Sequence, residues 1–173
     1  CDAGIMITGS HNPKEYNGLK MSLMGKPFYG QQILKLKDHI VEQEYQDGAG
    51  KYMKKEVVND YLADLLKNIY PSKRKLKVVI DCGNGMAGDL APKIASKLNH
   101  EVIKLFCNID GNFPNHHPDP SKLENLSELI ETVKKEKADL GLAYDGDADR
   151  LGVVDSQGRV IWPDRQLILF AKY

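Results

Sequence analysis

Residues 76–106 read LKVVIDCGNGMAGDLAPKIASKLNHEVIKLF, and the fold is decided there. A short apolar run over 76–80 is bounded by turn residues and predicts a buried strand. Residues 87–98 carry apolar side chains at helical spacing, and 101–106 return to strand character. The pattern repeats downstream, with a helix over 123–135 and a strand over 139–143. A β-α-β-α-β order needs crossover connections, which favour a parallel sheet with helices packed on it.

Outward from this unit, 151–155 and 160–162 read as two further strands around the turn Ser156-Gln157-Gly158, and Asp164 is placed to N-cap a last helix. Upstream, Tyr61, Leu62, Leu65, Leu66 and Ile69 follow the spacing of one buried helix face, with Pro71 ending that helix. Before it come strands over 5–7 and 19–23 and a helix over 31–45. The stretch Asp47-Gly48-Ala49-Gly50 is a break, so a domain boundary is expected within 47–55.

The 173 residues suffice for one domain and part of another. Lys plus Arg and Asp plus Glu number 24 each, so the net basic charge of a nucleic-acid binder is missing. No apolar run is long enough to span a bilayer. Three widely spaced cysteines, Cys1, Cys82 and Cys107, form no C-x-x-C pair and read as reduced thiols of a cytoplasmic protein. The chain starts at Cys1 rather than Met and runs straight into an apolar segment, which suggests an omitted upstream part.

Three constellations carry chemistry. Asp145-Gly146-Asp147-Ala148-Asp149-Arg150 follows the third strand of the parallel unit, where open α/β sheets bind ligands. Alternate carboxylates in an extended segment share one side and repel, which a hard cation such as magnesium relieves. An EF-hand started at Asp145 would need Gly and Glu where Arg150 and Ser156 stand, so calcium sensing is not expected. A solvated acidic turn and an aspartyl-phosphate phosphatase remain as alternatives. Ser10 lies in the loop Thr8-Gly9-Ser10-His11-Asn12-Pro13, with Lys20 ten residues on; no G-x-S-x-G elbow surrounds it. The third, 83–88, matches G-x-G-x-x-G between strand and helix, but no acid stands where a dinucleotide fold needs one. It reads as a tight turn with close backbone packing, with a nucleotide- or phosphosugar-binding module as the alternative. His116 and His117 lie in a three-proline loop and read as ordering elements.

Taken together, the 4–13 segment, Glu15-Tyr16-Asn17-Gly18-Leu19-Lys20, the 111–120 loop and the 145–150 loop closely resemble the α-D-phosphohexomutases, in particular the bacterial phosphomannomutase/phosphoglucomutase branch. The resemblance implies an α/β three-layer sandwich with a mixed, mostly parallel sheet. It implies a fragment of a four-domain enzyme: 1–52 ends domain 1, 53–158 is domain 2, and 159–173 enters domain 3. It implies a phosphorylated Ser10 that exchanges its phosphoryl group with hexose phosphates through a hexose 1,6-bisphosphate. It places one Mg2+ on Ser10, Asp145, Asp147 and Asp149, His11 and Lys20 near the transferring group, and Arg150 on phosphate. The expected partners are a hexose phosphate and the remaining domains, with no nucleic acid and no membrane. Gly9 departs from the family's more usual Ala.

Overall fold

Val78, Val79 and Ile80 are each almost wholly buried, and because strand side chains alternate, they serve two separate cores. Val79 packs with Leu126, Leu129, Val133, Ala143 and Val154. Val78 and Ile80 pack with Cys82, Ala87 and Ala91. This strand, β4 (Lys77–Asp81), is therefore covered on both faces, as parallel sheets require.

A computed structural model describes residues 1–10, 12–69 and 73–172. The chain divides into two compact units, one of residues 1–8 and 17–57 and one of residues 9–16 and 58–173.

The first unit holds three antiparallel strands in the order β1 (Ala3–Ile7), β2 (Leu19–Leu23) and β3 (Lys26–Phe28). β2 and β3 are joined by Met24-Gly25, both at positive φ, the backbone of a type I′ hairpin. Helix α1 (Gln31–Val41) follows. It ends earlier than the expected 45 because Gln43 turns left-handed at φ 55.

The second unit starts with the 9–16 loop and helix α2 (Val58–Lys67), in which Leu62 is buried. Pro71, read as the stop of this helix, lies outside the described residues. The sheet runs β5-β4-β6-β7-β8. β5 (Glu101–Leu105) and β6 (Leu140–Tyr144) flank β4 in parallel, and β7 (Leu151–Asp155) and β8 (Val160–Ile161) extend the sheet antiparallel. The result is the expected α/β fold, a mixed sheet with flanking helices.

α3 (Ala87–Lys97) covers one face and α4 (Ser127–Glu136) the other. The helix expected from 123 begins as a 3-10 turn, Leu123–Leu126, before α4. α5 (Pro163–Lys172) closes the described chain. Pro163 takes its first position, where a missing N–H costs nothing, so Asp164 lies inside the first turn and not at the cap expected for it. No helix among the described residues is long and apolar enough to cross a membrane.

Candidate active site: a serine loop on a triple-carboxylate turn

Tyr144 at the end of β6 pairs with Leu151 at the start of β7, so residues 145–150 must reverse the chain in a tight loop. Ala148 does this at φ 66, and its N–H donates to the Asp145 carbonyl at 3.1 Å. The Asp145 side chain is fully buried inside the loop. Its Oδ1 accepts from the Arg150 backbone N–H at 3.0 Å, and its Oδ2 from Arg150 Nε at 3.0 Å. Ser10 Oγ, 135 positions away in sequence, also donates to Oδ2, at 3.3 Å.

Asp145, Asp147 and Asp149 each offer a carboxylate oxygen within 4.8 Å of the others. Burial raises the Asp145 carboxyl above its ordinary range. The Arg150 N–H opposes this, while Asp147 and Asp149 push it further up. Three convergent carboxylates, one of them buried, form an oxygen donor set that suits a hard divalent ion and fits magnesium.

Glycines let backbones meet at this loop. A Cβ on Gly85 would lie 2.8 Å from the Gly146 carbonyl oxygen, and one on Gly146 would lie 2.0 Å from that of Ser10. Met86 N–H donates to the Gly146 carbonyl at 2.9 Å. The 83–88 turn thus seats the aspartate loop, the close backbone packing read from its glycines. Ser10 itself stands at φ 50, a left-handed conformation that costs a non-glycine residue about 1 kcal/mol. Around it, Asn12 N–H donates to the Gly9 carbonyl and Tyr16 N–H to that of Pro13, both at 2.9 Å.

The 110–120 loop buttresses the same region. His116 Nε2 lies 3.1 Å from Asp81 Oδ2, and its Nδ1 lies 2.9 Å from the His117 carbonyl. The Asp81 hydrogen bond raises the His116 pKa against the opposing effect of burial. With acceptors at both ring nitrogens, the imidazolium is the favoured form. Pro118 lies against both Gly83 and Gly146. Asp119 is buried, accepts from Ser121 Oγ at 2.7 Å, and lies 3.5 Å from Arg150 Nη1. Arg150 is therefore held between Asp145 and Asp119.

Of the residues singled out in the sequence, the structure gathers Ser10, Asp145, Asp147, Asp149 and Arg150 in the second unit. Residues 9–16, Ser10 among them, cluster with the unit that holds the aspartates. Lys20 belongs to the first unit, exposed on β2 opposite Met6. His11 lies outside the described residues. Sequence reasoning did not single out Asp81, Asp119 or the supporting Gly146, although all three stand inside segments it quoted. An unusual density of Gly, Pro and Asp was the available signal.

Residues 59–158 match the family described as phosphoglucomutase/phosphomannomutase, alpha/beta/alpha domain II, and residues 1–47 match its domain I. A phosphomannomutase/phosphoglucomutase of Pseudomonas aeruginosa is 49% identical over 170 residues, which cover 98% of this chain and 36% of that protein. A phosphoglucomutase of Neisseria meningitidis is 49% identical over 175 residues, covering 98% of this chain and 37% of its own. The crystal structure of a phosphoglucomutase/phosphomannomutase family protein from Burkholderia thailandensis superposes with a TM-score of 0.92 at 48% identity, covering 99% of this chain and 37% of that one. The chain thus spans little more than a third of the length of these relatives.

Proposed function

This chain belongs to the phosphoglucomutase/phosphomannomutase family, and from that premise we propose that it supplies the phosphoserine and the metal site of an Mg-dependent phosphohexomutase. The enzyme interconverts hexose 1-phosphate and hexose 6-phosphate, of mannose, glucose or both. In this reading residues 1–52 end its first domain, 53–158 form its second and 159–173 enter its third. The remaining domains and the hexose phosphate are its partners, and it works in the cytoplasm. The observation that carries the reading is the hydrogen bond from Ser10 Oγ to Asp145 inside a triple-carboxylate loop.

The reaction consists of two successive phosphoryl transfers, of two different phosphoryl groups. Phosphorylated Ser10 gives its phosphoryl group to the free hydroxyl of the sugar monophosphate, forming a hexose 1,6-bisphosphate and the Ser10 hydroxyl. After the bisphosphate reorients, its other phosphoryl group passes to Ser10 and the isomeric monophosphate leaves. Such transfers need positioning and charge neutralisation above all.

Ser10 Oγ directs its proton to Asp145 Oδ2, so its lone pairs are left for the incoming phosphorus. Asp119 and Asp145 hold the Arg150 guanidinium, which fixes a planar fork for phosphate oxygens. Ser10, Asp145, Asp147 and Asp149 would hold magnesium. When bound, that ion supplies charge neutralisation at the transferring phosphoryl group. Lys20 and His11 are assigned proton transfer or electrostatic help by their match to family positions.

The test is incubation of the whole enzyme that carries this chain with labelled glucose 1,6-bisphosphate. Stable label on Ser10 supports the reading. Label on Asp145 would replace it with an aspartate-dependent phosphatase, and no label with a binding module. The 173 residues alone are expected not to turn over sugar phosphates.

A further inference from the structure

Cys82 and Cys107 take no part in the chemistry above, yet their sulfurs lie 3.5 Å apart. Cys82 directly follows β4 and is wholly buried; Cys107 stands two residues past the end of β5 and is partly exposed. Both follow the register pair Asp81↔Leu105 on adjacent parallel strands. Phe106 turns left-handed at φ 48 just before Cys107, which takes Cys107 out of the strand ladder and brings its sulfur over Cys82. The remaining approach, to about 2.0 Å in a disulfide, falls on a residue outside the ladder.

We propose that Cys82 and Cys107 form a reversible dithiol–disulfide site, with hydroperoxides as the oxidant class. Cys107 is the sulfur that solvent reaches first. The hydrogen bond shared by the two sulfurs, aided by Lys104, holds the Cys107 thiol below its ordinary range against the effect of burial, whereas the same bond and burial push the Cys82 thiol up. The Cys107 thiolate attacks one peroxide oxygen and the O–O bond breaks. A sulfenic acid forms, and the second oxygen leaves with a proton as water. The Cys82 sulfur then displaces hydroxide from the Cys107 sulfur, and that hydroxide leaves as water with the Cys82 proton. The net change oxidises two thiols to one disulfide and reduces one hydrogen peroxide to two waters.

The site adjoins the turn that seats the aspartate loop. The Cys107 carbonyl oxygen lies where a Cβ on Gly88 would be only 2.1 Å away, so moving Cys107 bears on the start of α3. The proposal does not depend on sugar-phosphate chemistry, because its test reads only the state of the thiols.

The folded 173-residue chain is treated with hydrogen peroxide, alkylated, digested and mapped by mass spectrometry. The expected result is a loss of two of the three free thiols, a peptide linking Cys82 to Cys107, an alkylatable Cys1, and recovery of both thiols with dithiothreitol. A Cys107 sulfinic acid beside an alkylatable Cys82 would overturn the proposal, as would a reduced Cys107 when exposed Cys1 has been consumed. In Cys82→Ala the Cys107 sulfenic acid is expected to persist and be trapped by dimedone; a folded variant with no trapped Cys107 also overturns it. Should that variant fail to fold, the linked-peptide result on the unmodified chain decides alone.

Discussion

The side-chain-free face of Gly146 lies against the backbone of Ser10, so closely that a Cβ there would stand 2.0 Å from the Ser10 carbonyl oxygen. The contact joins the nucleophile's loop to the aspartate loop through main chain, where no rotamer change can absorb a clash. Gly146→Ala should therefore displace Ser10 while leaving every titratable group in place. Misplacement on the order of 1 Å costs about 100-fold in a positioned reaction, and a loss of that size is expected in Ser10 phosphorylation by a hexose 1,6-bisphosphate. Gly111→Ala, which meets nothing within 4 Å, should leave the rate unchanged. Equal rates in the two variants would remove the positioning role.

The convergent carboxylates of Asp145, Asp147 and Asp149 predict opposite effects with and without metal. In chelator, Asp149→Asn removes a like charge from the cluster, so the melting temperature should hold or rise. In magnesium the order should reverse. A ligand at 100 times its dissociation constant stabilises the folded state by about 2.7 kcal/mol, and the variant should lose most of that gain. Differential scanning calorimetry in EDTA and in MgCl2 measures both. An undiminished magnesium-dependent gain in the variant would contradict the assignment.

Leu129 is fully buried where α4 meets β4 and β6, and its side chain occupies the space over Gly141. Leu129→Ala leaves a cavity that rigid sheet neighbours fill poorly. A loss of about 3 kcal/mol is expected, read as a lower urea midpoint with an unchanged slope.

The His116–Asp81 pair gives stability a pH dependence of definite sign. Its folded pKa lies above the ordinary 6.5 because of the Asp81 hydrogen bond. The contribution of His116 is thus complete below about pH 6.5 and is lost as pH rises through the folded value. Urea midpoints between pH 6 and 9 should fall with rising pH, and in His116→Gln that part of the slope should vanish. A slope unchanged in the variant would assign the dependence to other groups.

Local pattern accounts for much of the architecture. The β-branched run at Val78, Val79 and Ile80 and the helical spacing of Leu62, Leu65 and Leu66 made strand and helix legible, because each depends on neighbours within a few residues. Element ends were less legible. Gln43 ends α1 by adopting a left-handed backbone, and Pro163 displaces Asp164 from the expected cap; both depend on backbone choices that side-chain type only biases.

From its own residues the sequence determined the β-α-β-α-β order, the placing of three closely spaced carboxylates just after β6, and the presence of Ser10 in a polar turn. These follow from short-range periodicity and from carboxylate chemistry. The carboxylates converge through the chain reversal at Ala148 and not through the extended segment expected. Tertiary structure alone decided that Ser10 Oγ reaches Asp145 Oδ2, that the 83–88 glycines seat the aspartate loop, that Asp119 shares Arg150 with Asp145, and that two distant cysteines meet. Each of these joins residues separated by 25 to 135 positions or depends on backbone approaching backbone. No local period records such contacts, and they exist only once the sheet has set the ends of its strands side by side.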